Sequence, residues 1–361
     1  ADATGSTAAE FNTINSATSV AINATAVTGL ASDTISNIKT LLTAGNDTNQ
    51  FTATSFSNLA TAVVSDTTLD VSDFVDAVDQ ANSATGNTST VFTITAVDTI
   101  NGGTEANFTS LLADETANQV SITDQDLTVD SGSISVTNAN LLAGTTTGTV
   151  TATIDTTEDV DTLKTLNETH AYTIVIAAGD ATSSTAAELN TINGATSVAV
   201  NMNAVTALAA STLTDLGTLA TAIGDSEFSN GDNLTTIAVS DTSIAADTLA
   251  ARIDSYDTIN GGATTGMTLA SGATINVSSE AEISELLDDE TASRLTISDQ
   301  NITLDTGTMS VANANLLAAT TTGTITGAIT TTERVDALKT LNETHAYTIV
   351  IHGDDATGST A

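Results

Sequence analysis

Residues 163–176 read LKTLNETHAYTIVI, and residues 338–351 repeat those 14 residues without a change. Val160, Leu163 and Leu166 stand at helical spacing, which puts them on one face of a short helix that Asn167 can end. Residues 171–176, AYTIVI, then form a nearly continuous apolar run. Such a strand is expected to be buried on both faces, as in a parallel sheet covered by helices. A short helix running into a buried strand is the joint of an alternating α/β chain.

The duplication sets a frame for the rest. DATGSTAAEFNTINSATSVAIN at 2–23 returns as DATSSTAAELNTINGATSVAVN at 180–201, an offset of 178, whereas the joint and the DETA at Asp114 and Asp289 return at 175. A third start, DATGSTA, opens at Asp355. The chain therefore divides into copy one (1–179), copy two (180–354) and the first residues of a third (355–361). DTINGG at Asp98 recurs at Asp257, an offset of only 159. That offset implies that copy two loses and regains about one coil of some 20 residues, which a stack of coils tolerates and a closed domain does not. The expected fold is an α/β solenoid of parallel strands and short helices joined by right-handed crossovers. The alternative is an all-β right-handed parallel β-helix.

Local patterns favour the α/β form. Thr7 with Glu10, Thr185 with Glu188 and Ser279 with Glu282 are capping boxes that start helices. TIN at Thr13, Thr99, Thr191 and Thr258 is read as a recurrent helix ending. Ile35, Ile38, Leu41 and Leu42 share a face of a helix over 32–43, and Ser72 can cap a helix that buries Phe74, Val75 and Val78. β-rich runs start at Val91, Val120, Thr149, Thr235 and Arg294. There is no proline, so Gly, Asn, Asp, Ser and Thr must supply the corners, and Asn ladders or Thr-to-backbone bonds can link coil to coil.

Composition narrows function. The 44 Asp plus Glu against six Lys plus Arg give a formal charge of -38, which repels phosphate backbones and anionic lipid surfaces. The acids are read first as a solvated surface. Hydrophobic residues make up 40% of the chain, enough for a buried core, but no apolar run reaches the length that spans a bilayer. Cysteine is absent, which suits a protein that folds outside the cell without disulfide catalysis. A start at Ala1 without Met or a signal-like segment suggests a processed chain or a piece of a longer one.

No G-x-S-x-G, H-E-x-x-H, P-loop or G-x-G-x-x-G occurs, and His170 and His345 hold one repeat position, read as structural. The residues best suited to a metal are Asp124, Asp126 and Asp130, matched in copy two by Asp299, Asn301 and Asp305. These hard oxygen donors suit calcium, although the spacing is not that of an EF-hand and the G-G-x-G-x-D nonapeptide is missing. The Thr-rich runs 145–157 and 320–332 raise ice binding, but each occurs once per copy and Thr favours strands for simpler reasons. Asn167 and Asn342 lie in N-x-T sequons.

STAAELNTINGATSVAVN and NANLLAATTTGTITGAITTTERVDALKTLN resemble the repeats of giant secreted or cell-surface proteins of bacteria, marine cyanobacteria especially. The resemblance spans nearly the whole chain and is one of repeat style and composition. It implies surface layers, adhesion or extracellular filaments. The expectation is a non-enzymatic, extracellular tandem-repeat subunit or segment of a filament or surface fibre that associates head-to-tail with copies of itself. It is expected to bind no nucleic acid and to insert in no membrane. The alternative is an adhesin stalk or binding module.

Overall fold

Leu69, Ile100 and Leu127 lie about 30 residues apart in sequence, and each is completely buried at the centre of a short strand. The computed structural model, which describes residues 5–85, 89–262 and 264–351, stacks these strands side by side. It is a mixed α/β structure with 12 α-helices among the described residues, and every strand pair in it is parallel. The all-β alternative is thereby set aside.

The chain forms two compact units, one of residues 1–158, 165–174 and 195–198, the other of residues 159–164, 175–194 and 199–361. In the first unit, Thr68 pairs with Thr99, Thr99 with Asp126, Leu127 with Val150 and Thr151 with Ala171, so the chain travels 31, 27, 23 and 20 residues between partners. In the second, Ser243 pairs with Thr274, Thr274 with Asn301, Ile302 with Ile325 and Thr326 with Ala346, which are the same four intervals. Both units therefore shorten their turns in the same order. Each also carries a second parallel sheet, made of Gly29–Asp33, Thr61–Val64 and Val91–Thr93 in one, and of Ala207–Ser211, Thr236–Val239, Gly266–Leu269 and Leu295–Thr296 in the other.

A complete turn runs strand, corner, strand, helix. The β-rich run from Arg294 makes two strands rather than one, Leu295–Thr296 in one sheet and Asn301–Leu304 in the other. Its corner is held by buried Gln300, whose side chain donates to the Ala270 carbonyl and accepts from the Ser298 N–H. The helices start where capping chemistry allows. Thr7 and Glu10 form a reciprocal box, as do Thr185 and Glu188. The helix Ile35–Gly45 is capped by Thr34 and buries Ile35, Ile38, Leu41 and Leu42. For Val71–Thr85 the cap is Asp70, which accepts from the N–H groups of Ser72 and Asp73, and not Ser72 itself.

Three local expectations need correction. The TIN at Thr99 is a strand, Thr99–Asn101, because Ile100 is drawn into the buried stack with Leu69 and Leu127. Its counterpart is the strand Thr274–Val277 at an offset of 175, whereas the DTINGG at Asp257 closes the helix Ala246–Ile259. Copy two has therefore not lost and regained a coil. It is shorter by three residues, lost between the helix Leu213–Gly224 and the strand Thr236–Val239. The third correction concerns the joint. Its helix, Val160–Leu163, stops well before Asn167, and its strand is buried on one face only, with Tyr172, Ile174 and Ile176 inside while Thr173 is exposed. Thr151 and Thr153 of the neighbouring strand are exposed on that outer face as well.

Turns are tied together by threonine. The buried hydroxyls of Thr90, Thr146, Thr196, Thr265 and Thr321 donate to the carbonyls of Leu59, Gln125, Tyr172, Leu234 and Gln300, respectively, at 2.6–3.1 Å and 21–31 residues back along the chain. Each satisfies a carbonyl that has no water to turn to, a contribution of about 1 kcal/mol. Each Thr-rich run contributes one of these ties, Thr146 in the first and Thr321 in the second. Asparagine side chains pair between turns at Asn201 with Asn230 and Asn203 with Asn233.

Close backbone approach at the same place demands glycine. A Cβ on Gly148 or Gly323 would collide with the backbone of Gln125 or Gln300, whereas one on Gly179 would meet nothing within 4 Å. Gly148→Ala and Gly323→Ala are therefore expected to destabilise by about 1–3 kcal/mol, the cost of overpacking against an immovable neighbour. Gly179→Ala should leave thermal unfolding unchanged. Equal melting temperatures for all three would refute the close approach.

Candidate functional site

Of the residues proposed for calcium, Asp126 and Asn301 begin strands and the other four lie in the segments beside them. Asp126 starts Asp126–Thr128 and accepts the Thr149 N–H at 2.6 Å, while Asp130 accepts the Gly102 N–H at 2.8 Å. Asp124 accepts from Gln125, beside it. In copy two, Asn301 accepts the Thr324 N–H and donates to the Gly272 carbonyl, Asp299 accepts from Ser271 and Gln300, and Asp305 is exposed beyond the strand. Among the described residues, no three His, Cys, Asp or Glu side chains converge as metal ligands.

Many acids have a different task. The first N–H of a helix has no partner within the helix and sits at its positive end, so a carboxylate there is favourable by roughly 0.3–1 kcal/mol. In this chain the carboxylate comes from a later turn. Ile35 donates to Asp66 and Leu213 to Asp241, both at 2.7 Å. Val136 donates to Glu158, Val311 to Glu333 and Val160 to Asp180, at 3.1–3.3 Å. At Ser310 a second acid joins from the preceding turn, and the hydrogen bonds from Ser310 and Asn313 hold the Glu280 carboxyl below its ordinary range. These acids are not only a solvated surface. The intervals vary from 20 to 31 residues, so no periodicity in the sequence announces them.

The densest charged cluster in copy two surrounds Arg294, which reaches Asp289 at 2.5 Å, Asp257 at 3.0 Å and Asp254 at 3.9 Å. Copy one has Gln119 and Asn82 where copy two has Arg294 and Asp257, and there the two amides bond each other at 2.7 Å. A neutral pair in one copy is thus a charged pair in the other, and aligning the copies at 175 makes the exchange visible in sequence. The acid between them is common to both. Burial pushes Asp289 up to about 6 against the opposing pull of Arg294, and burial followed by the charge of Asp79 pushes Asp114 up to about 6. One carboxylate oxygen of Asp114 is buried without a hydrogen bond.

The joint itself is held by its histidine. His170 is buried and its Nδ1 accepts the Val150 N–H at 3.1 Å, so the proton of the neutral ring lies on Nε2. Burial lowers the pKa of His170, opposed by Glu168, and the neutral acceptor form is favoured. Its backbone then takes the next segment, for the His170 N–H donates to the Ala195 carbonyl and the His170 carbonyl accepts the Ser197 N–H at 2.8 Å. In the second unit Val175 pairs with Asn201, the Ile176 N–H donates to the Asn201 carbonyl, and Lys164 meets Glu188 at 3.0 Å. At the second occurrence of the same 14 residues the ring repeats its bond, from Ile325 N–H to His345 Nδ1 at 3.3 Å, and among the described residues no later segment pairs with it. Ile174 and Ile176 are 0% and 1% exposed, whereas Ile349 and Ile351 are 42% and 52% exposed.

A concavity of about 740 Å³ lies over the first three helices, lined by Asn12, Asn15, Lys39, Thr40, Gln50 and Asp73 among others. Among the described residues no helix is long and apolar enough to cross a membrane. No protein-family model matches the chain, and no curated protein matches it in sequence.

The elevated Asp114 gives a pH test. A carboxyl whose folded pKa lies above its unfolded value of 3.8 binds its proton more tightly when folded, so the protein loses stability as pH rises from there through about 6. Asp114→Asn removes that loss. Because the side chain is partly open to solvent, the expected gain is about 1 kcal/mol at pH 7, well under the full shift, with none at pH 3. A gain of equal size at both pH values would show that ionisation is not its source.

Proposed function

We propose that this chain is a structural protein of the cell exterior, an α/β-solenoid subunit or segment of a filament or surface fibre, whose function is to be one length of a continuing stack. The single observation that carries this reading is that the two units pair their strands at the same four intervals in the same order, as successive lengths of one stack would. Each turn covers the edge of the turn before it, so an uncovered edge invites another of the same kind. Association of this sort joins unlike faces, and where it does not close into a ring it grows as an open fibre.

Other features support the same reading. The lack of cysteine frees folding from disulfide chemistry, and the charge of -38 keeps repetitive surfaces apart except where edges fit. Mechanically, tension along such a stack is borne by the parallel backbone bonds and threonine ties between turns. Sedimentation velocity and electron microscopy of the 361-residue chain provide the test. Assemblies that lengthen with protein concentration are expected, and a monomer at every concentration would overturn the fibre.

A further inference from the structure

We propose that the histidine at each joint is an acid-sensitive latch: its neutral ring closes the joint, and one proton opens it. The device is built from His170 and, 175 residues on, from His345. It does not depend on whether the chain forms a fibre.

The geometry is the same at the two places. His170 Nδ1 accepts the Val150 N–H at 3.1 Å, and His345 Nδ1 accepts the Ile325 N–H at 3.3 Å. Both side chains are only 8% exposed, and each Nε2 is buried without a hydrogen-bond partner. The carboxylates of Glu168 and Glu343 stand 3.7 Å from Nε2, beyond hydrogen-bond reach. Tyr172 and Tyr347 meet the rings edge-on, with centroids 5.6 and 5.7 Å away. The ring therefore has one polar task, to accept at Nδ1.

That task fails in acid. A neutral imidazole offers a single lone pair in its plane, and here the backbone N–H already uses it. When a proton from water takes that lone pair, both ring nitrogens become donors and Nδ1–H faces the Val150 N–H. Two donors cannot bond, and the charged ring has a counter-charge in Glu168, whose side chain is 58% exposed. Three passes of the chain meet at this ring. Val150 opens the strand Val150–Thr153, the His170 N–H and carbonyl hold Ala195 and Ser197, and the Thr196 hydroxyl donates to the Tyr172 carbonyl at 2.6 Å.

The surroundings leave the histidine as the group that titrates. Residues 150–153, residues 195–197 and the helix Val136–Ala143, which packs on that strand, carry no ionisable side chain. Burial pushes the Tyr172 hydroxyl up, away from the acid range, and Asp126 on the neighbouring strand is engaged with the Thr149 N–H. Burial holds His170 below its ordinary 6.5, against the pull of Glu168. A base lowered in this way adds stability that is complete above 6.5 and is lost as pH falls through the folded value, where the folded chain itself takes the proton.

Amide hydrogen exchange of the whole chain, read residue by residue and corrected for the intrinsic rate, tests the latch. Protection of the Val150 N–H should fall by up to about tenfold for each pH unit below 6.5, since one proton is linked to one opening. Protection at Ile325 should fall with acid as well, whereas the Val91 N–H, which donates to the Ala60 carbonyl, should keep its own. His170→Asn puts an amide oxygen in the place of Nδ1, an acceptor that no mild acid removes. In that variant Val150 should stay protected throughout while Ile325 still opens. If His170→Asn does not fold, His345→Asn makes the same comparison with the two amides exchanged. Nitrogen chemical shifts of the native ring at neutral pH should place its proton on Nε2. A proton on Nδ1, protection at Val150 that does not change with pH, or a loss that persists in His170→Asn would each overturn the latch.

Discussion

A parallel strand can satisfy its backbone only when the chain comes back alongside it, and the cost of that return shapes every part of this protein. Each N–H and carbonyl facing along the stack needs a partner one turn away. The chain meets the demand with ladders such as Leu69, Ile100 and Leu127, whose apolar side chains line the interior while the strands of Ile100 and Leu127 are paired on both edges. At corners, where ladders lapse, Thr146 and Thr321 reach back to the carbonyls of Gln125 and Gln300. Gly148 and Gly323 let the backbones approach closely enough for that reach.

The helices present the same problem at their ends and solve it with charge. Asp66, Glu158, Asp180, Asp241 and Glu333 each accept the first N–H of a helix in an earlier turn. An acid used in this way ties two turns together and lies against the positive end of a helix dipole. Part of the acidity of the chain is therefore architectural. The exchange of Asn82 with Gln119 for Asp257 with Arg294 shows how the same junction between turns tolerates neutral or charged chemistry, provided that both partners change together.

Much of this is legible in the residues. The capping boxes at Thr7 and Thr185, the helix face of Ile35, Ile38, Leu41 and Leu42, and the strand runs at Val91, Thr149 and Thr235 rest on short-range chemistry, and the structure has them. Legibility fails where identical letters sit in different surroundings. TIN ends a helix at Thr258 and is a strand at Thr99, since three residues do not outweigh the pull of a neighbouring ladder. The apolar AYTIVI reads as doubly buried, yet its outward Thr173 is exposed. Asp124, Asp126 and Asp130 lie close in sequence but answer to different partners, the Gln125 side chain and the N–H groups of Thr149 and Gly102.

The sequence by itself determined the repeat, its two copies and the capping boxes at Thr7 and Thr185, because those depend on residues within one turn of chain. Only the tertiary structure decided which copy of LKTLNETHAYTIVI is covered. The 14 residues are the same at both places, so nothing in them can distinguish a buried edge from an exposed one. Burial depends on the segment that lies alongside in space: Thr196 and Asn201 lie against the first joint, and the described residues bring no equivalent to the second.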